Sequence, residues 1–310
     1  MSINFEELIR ADRPDIKNNS LRAYLISLRK MNENKALENL TFLKDYENII
    51  KFLEKFKLPT KRNYISSILV VLRAYNKRSY DDVLQKYREY LTGLNEQYNN
   101  EIYTHQKNLN QKENWTDLHS LKKGLRLYQN RIRDLDLFNI DKKLNSKQLN
   151  IIQSYLVVAL YTLQPPVRLN YSDMKIIKNE DDIEEGKNYL LNKSRNKKQF
   201  IFQDYKTSKK HGKIVQPINK ELNTIINKWL KVNKTDNFLI DQKGHPMNSN
   251  QLGKFITKSF DFTTKKITLN LLRHVYISEN IDLEAIKKGQ QLAKDMHHTP
   301  QLQEMYAKID

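Results

Sequence analysis

Leu271-Leu272-Arg273-His274, then Met296-His297-His298-Thr299, then Tyr306: the reading of this chain turns on these residues near its end. They combine an arginine in an apolar run, a histidine further on and a tyrosine eight residues past His298. Together they make a phosphate-handling set. Arginine holds two non-bridging phosphate oxygens in its planar fork. Histidine holds a third oxygen or moves a proton, and a tyrosine oxygen can attack phosphorus as a covalent nucleophile. Each residue alone is ordinary. Order and spacing carry the reading.

These boxes resemble those of the tyrosine recombinases, or phage-type integrases. The family pattern is roughly Leu-Arg-His, an apolar-x-His-Ser/Thr turn, and a tyrosine eight or nine residues later. The resemblance implies two residues upstream: an arginine after an apolar helix and a lysine in a β-hairpin. The apolar run Tyr155–Thr162 leads into Leu163-Gln164-Pro165-Pro166-Val167-Arg168. The prolines end the helix and stiffen the turn, which presents Arg168 from a fixed backbone. Further on, Phe200-Ile201-Phe202 and Ile214–Ile218 are β-prone runs around a basic turn, Asp204–Lys213. Lys206-Thr207 before that turn resembles the family's lysine hairpin. Lys209 and Lys210 share the turn and are candidate DNA contacts.

The sequence departs from the family pattern in places. Three residues before Arg273, where the family often has histidine, stands Asn270. Asparagine can donate a hydrogen bond to a phosphate oxygen but cannot shuttle protons. Tyr171 replaces the acidic residue common three positions after the first arginine, so something else must orient Arg168. Both His297 and His298 fit the histidine box. The Thr299 that follows favours His298. His274 points elsewhere on the helix and reads as a satisfied structural histidine. His105, His119, His211 and His245 have no ligand spacing, and no metal site is expected.

Composition bounds the partners. Lys+Arg 54 against Asp+Glu 36 gives +18, a field that attracts polyanions and makes binding salt-sensitive. There is no cysteine, which excludes disulfides and thiolate metal sites. The seven glycines form no Walker loop, dinucleotide fingerprint or nucleophile elbow. No run reaches the ~20 apolar residues of a membrane span. Glu6, Glu7 and Arg10 interrupt any signal peptide. An intracellular, non-secreted protein is expected.

The fold expected is two-domain. Residues 1–100 read as an all-α bundle of amphipathic helices over Leu21–Met31, Phe42–Leu53, Pro59–Leu72 and Tyr80–Tyr98. This bundle resembles the family's core-binding domain. Lys61 and Arg62 lie early in its third helix, where cations gain nothing from the helix dipole, and phosphate contact would explain them. Residues 101–114 read as a linker. Residues 115–310 read as an α+β catalytic domain with a small antiparallel sheet of strands near Met174–Ile177, Asn188–Leu191, Phe200 and Val215. Ser146 is the expected cap of the helix leading to Arg168.

What the resemblance implies is transesterification of duplex DNA without metal, ATP or cofactor. Tyr306 forms a 3′-phosphotyrosyl bond, Arg168, Arg273 and His298 stabilise the phosphorane charge, and Lys206 protonates the leaving 5′-oxygen. The working form implied is a tetramer on synapsed DNA. The Gln164–Arg168 context resembles integrases of large DNA viruses and their virophage satellites. Two alternatives share much of the pattern: a monomeric type IB topoisomerase, and a DNA-binding protein with a decayed site.

Overall fold

The structure, a computed structural model, describes residues 3–139 and 144–299 together with Leu302, Gln303 and Tyr306. The chain divides into two compact units, Met1–Lys107 and Asn108–Asp310.

The first unit is helical. Its helices are α1 (Phe5–Asp12), α2 (Asn18–Met31), α3 (Tyr46–Glu54), α4 (Leu58–Tyr75) and α5 (Asp81–Tyr103). α4 lies at its centre, packing on the other four and burying Ile65, Ile68 and Val71. Leu28, Leu43 and Leu53 close the core around it. Tyr87 is fully buried and donates to the Leu43 carbonyl at 2.9 Å, so its one polar atom is satisfied. α1 goes beyond the four expected helices. Asn4 caps it by accepting from Glu6 N and Glu7 N, and Arg73 of α4 holds its Asp12 at 2.6 Å. It is short and buries only Phe5 and Ile9, too little pattern for periodicity to reveal.

The stretch expected as a linker holds the end of α5 and then α6 (Leu109–Asn114), which belongs to the second unit. Asn114 Oδ1 there accepts from Lys266 N at 2.8 Å. α7 (Leu118–Asp134) follows, then α8 (Ser146–Thr162). Ser146 is not the cap of α8. Asn145 is, in a reciprocal capping box with Gln148, because its extended backbone precedes the helix whereas Ser146 is already the first helical residue.

From Ile152 to Thr162, α8 is buried on every side, with α7, α10 (Lys220–Val232), α11 (Ser249–Ser259) and α12 (Leu269–Asn280) around it. A helix without a polar face belongs at the centre of a domain. Its buried Gln153 bonds both groups of Ile240, donating to the carbonyl at 3.0 Å and accepting from the amide at 2.8 Å. Where α7 meets this core, Gly124 leaves room for the Phe262 ring. A Cβ there would fall 2.3 Å from it.

The sheet has the order β1 (Lys175–Ile177), β2 (Tyr189–Asn192), β3 (Lys198–Phe202), β4 (Ile214–Pro217). It is mixed, not antiparallel as expected: β1 runs parallel to β2, pairing Lys175 with Tyr189 and Ile177 with Leu191. The connection between them is too long for a hairpin turn. It carries a 3₁₀ turn over Glu180–Asp182 and a positive φ at Gly186, and so brings the chain back to start β2 beside the start of β1. The other two pairs are antiparallel. The turn between β3 and β4 contains one short helix, α9 (Ser208–His211). α13 (Leu283–Asp295) closes the order of described elements. Among the described residues no helix is long and apolar enough to cross a membrane.

Candidate active site

Arg168 stands on the loop that leaves α8. The buried Tyr161, one turn before the loop, donates from Oη to the Arg168 carbonyl at 3.1 Å. Gln164 donates to the Tyr171 hydroxyl, and Asn219 Nδ2 donates to the Leu163 carbonyl at 2.9 Å. Tyr171 itself has no exposed surface. Its ring meets Tyr161 edge-on at 5.7 Å and Phe200 at 5.1 Å, and burial raises its pKa, so it stays neutral. Arg168 is oriented through its backbone by two core tyrosines and a glutamine, while its side chain remains exposed.

Arg273 comes from α12. Thr268 caps the helix by accepting from Leu271 N, and Leu271, Leu272 and Val275 anchor it in the core. That leaves Arg273 half-buried on the rim, with exposed Asn270 one turn earlier on the same side. Burial, and then the charge of Arg168, hold the Arg273 guanidinium below the ordinary arginine pKa. The two cations therefore sit close enough to repel. Neither guanidinium has a hydrogen bond or ion pair among the described residues. Arg273, half-buried beside a like charge and without a counter-ion, favours an anion at its side. His274, expected as a satisfied histidine, has no hydrogen bond among the described residues. Burial and Arg273 lower its pKa, which favours the neutral ring.

The histidine box lies just past α13. His298 N donates to the Ala293 carbonyl at 3.0 Å and His297 N to the Lys294 carbonyl at 3.1 Å. His297 is left-handed, with φ 58°. Together these form a Schellman ending, with His297 as the left-handed cap and His298 as the residue the motif turns inward. The His298 ring meets the Tyr306 ring at 6.0 Å, inclined by 65°. Its Nε2 is buried without a partner among the described residues. Thr299 Oγ1 accepts from Leu302 N at 3.3 Å. Tyr306 is 67% exposed, open to a large substrate.

Lys206 is exposed at the start of the β3–β4 turn, with Lys209 and Lys210 exposed on α9 behind it. Tyr205 Oη closes the turn on the Gly212 carbonyl at 2.7 Å. The base of the turn is tied to the arginine loop by Asn188, a residue that sequence motifs do not reveal. Its Nδ2 donates to Asn170 O at 3.0 Å and Asp204 O at 2.8 Å, and its Oδ1 accepts from Gln203 N at 2.8 Å and Asp204 N at 2.9 Å. All four of its hydrogen-bonding places are filled. The structure thus brings His298 together with Tyr306, and puts Arg168 near enough to Arg273 to help lower its pKa. It links the loop of Arg168 to the turn of Lys206 through Asn188. No hydrogen bond, ion pair or ring contact among the described residues joins Lys206 or the arginines to the histidine–tyrosine pair.

In the first unit, Lys61 is half-buried on α4. Arg62 is engaged within the bundle: Nε donates to Asn95 Oδ1 at 2.7 Å, and the guanidinium lies over the Tyr98 ring at 3.9 Å. Among the described residues no group of three or more His, Asp or Glu side chains could hold a metal ion.

No family model matches the chain, and no curated protein matches it by sequence. Among solved structures it is similar to a XerA recombinase, at 10% identity and TM-score 0.36, covering 99% of this chain and 93% of that one. It is also similar to the Tn1549 transposon integrase in complex with circular intermediate DNA. That likeness has 14% identity and TM-score 0.46, covering 100% of this chain and 96% of the integrase chain.

Proposed function

We propose that this protein is a tyrosine-type DNA recombinase, breaking and rejoining duplex DNA through a covalent phosphotyrosine. The observation that carries the reading is the His298–Tyr306 ring contact at 6.0 Å, accompanied by Arg168 and Arg273, two cations with no protein acceptor among the described residues. Such a pair suits a phosphodiester whose charge grows in the transition state, where losing one preorganised donor typically raises the barrier by ~3–4 kcal/mol. In the proposed reaction Tyr306 Oη attacks the scissile phosphorus and its proton goes to solvent. A bond forms from phosphorus to the tyrosine oxygen, and the bond to the 5′-oxygen breaks. Lys206 delivers a proton to that oxygen, leaving a free 5′-hydroxyl. His298 Nε2 holds a non-bridging oxygen. Rejoining reverses each step, and the covalent link conserves the bond energy that resealing needs. On the same reading the protein works as a tetramer on two synapsed duplexes, and the Gln164–Arg168 context aligns it with integrases of large DNA viruses and virophages.

A nicked suicide duplex tests the reading. Wild-type protein should accumulate a covalent adduct on it. Tyr306→Phe, which removes only the attacking oxygen, should bind the same duplex with unchanged affinity and yield no adduct. Adducts that persist in Tyr306→Phe would move the nucleophile to another residue.

A further inference from the structure

The turn between β2 and β3 is built at unusual expense. Ser194 and Lys197 exchange both backbone hydrogen bonds at 3.3 Å, which leaves Arg195 and Asn196 as a two-residue tip. Tips of this length normally take turns with a positive φ, hence Asn-Gly or Gly-x, because those match the twist of the strands. Here neither tip residue has a positive φ. One extra residue, Lys193, lies between the Ser194–Lys197 pair and the Asn192–Lys198 pair, a bulge that twists the ribbon further. An unfavoured tip needs outside support, and the Arg195 carbonyl receives it three times over. It accepts from Lys198 Nζ at 2.7 Å, Asn223 Nδ2 at 3.0 Å and Asn227 Nδ2 at 3.0 Å. Lys198 also donates to Ser194 O at 3.0 Å and Asn227 Oδ1 at 2.7 Å. Its side chain is buried, which is rare for lysine and unfavourable for an ammonium.

A glycine tip would close the same strands with none of this. What the supported tip keeps, and a glycine tip would lose, is two full side chains on a rigid backbone. Arg195, Asn196 and Lys197 are all exposed. Arg195 and Lys197 have no acidic partner among the described residues, whereas Lys193 beside them is paired with Glu180 at 2.6 Å. The turn lies outside both catalytic pairs and outside the Lys206 turn.

We infer that the β2–β3 turn, Lys193–Lys197, is a preformed contact for the phosphate backbone of duplex DNA, with Arg195 and Lys197 as the contacting cations. The inference deepens the proposed function, which supplies the duplex. A cation on a rigid mount loses less freedom on meeting a phosphate, and an arginine fork can take two of its oxygens.

The test is a salt titration of full-length protein on a random-sequence duplex, which reads phosphate contacts without regard to base sequence. Each phosphate neutralised contributes about 0.9 to the slope of log affinity against log salt. Arg195→Ala/Lys197→Ala should lower the slope by about two, and Lys193→Ala should leave it unchanged. A slope equal to wild type in the double variant would overturn the inference. So would an equal drop in Lys193→Ala, which would show a general charge effect. Adduct formation on the suicide duplex at saturating protein separates this from the proposed function. The double variant should form adducts at the wild-type rate. A lowered slope in a protein whose wild type forms no adduct would sink the recombinase reading and leave the turn contact standing.

Discussion

Arg168 and Arg273 have different mounts, one on a clamped loop and the other on a helix rim. Their identities are legible in the sequence because a helix stop and an Leu-Arg-His box are local patterns. What holds Arg168 is not. Tyr161 and Tyr171 look like any core aromatics until the fold shows the hydroxyl on the Arg168 carbonyl. The choice between His297 and His298 is also open in sequence terms. The helix ending sets the two apart: His297 has the left-handed backbone of the cap, and the His298 ring meets that of Tyr306. Lys206 is the assignment most in need of a chemical test, since it rests on the turn rather than on a contact. A general acid contributes roughly 10²–10⁴-fold, and only while the leaving oxygen is a poor one. Replacing the scissile 5′-oxygen with sulfur lets it depart without a proton. Lys206→Ala should therefore be slow on ordinary DNA and close to wild type on the 5′-thio duplex, while Arg168→Ala stays slow on both. Rescue of Lys209→Ala or Lys210→Ala instead would place the acid further along the turn.

At the scale of elements, the longer helices of the first unit are legible from their apolar period, whereas the 17 residues of α7 are not singled out. α2, α4 and α5 follow their patterns to within a few residues. α1 is too short to show a period, and the Asn145 cap differs from the expected Ser146 by one step. Strand direction is harder. The alternation in Lys175–Ile177 says that a strand is present but not which way its neighbour runs, and the parallel β1–β2 pair depends on the whole excursion between them. The link between the arginine loop and the lysine turn is of the same kind, made by one side chain across segments 16 and 18 residues away. Asn188→Ala would leave Gln203 N and Asp204 N without acceptors and both carbonyls without the amide. Unsatisfied buried groups cost ~1–3 kcal/mol each, partly relieved by water, so a net loss of about 2–4 kcal/mol is expected in denaturant unfolding. Cleavage should slow as well, with little change in DNA affinity. Full stability in this variant would show that the two segments hold their places without Asn188.

Taken whole, the chain has two cores that meet different needs. The first unit packs aliphatic side chains around one helix, and the second surrounds α8 and backs it with an aromatic cluster under the arginine loop. The +18 charge was plain from composition and pointed to a polyanion, but composition cannot say where that charge is useful. Most of it is spread over exposed lysines. At Arg273, burial and the charge of Arg168 lower the pKa of the guanidinium, and this has a thermodynamic consequence. On the proposed reading, an oxyanion that binds Arg168 and Arg273 acts as a stabiliser of the native state. Inorganic phosphate at 100 times its dissociation constant would contribute about 2.7 kcal/mol, visible as a rise in melting temperature. Arg273→Ala should melt at a temperature much less sensitive to phosphate, and an equal phosphate response in that variant would mean the anion binds elsewhere. The protein would thus be at its least heat-resistant when idle and would firm up on engaging its substrate, so that occupancy of the site can be followed with a thermometer before any reaction is seen.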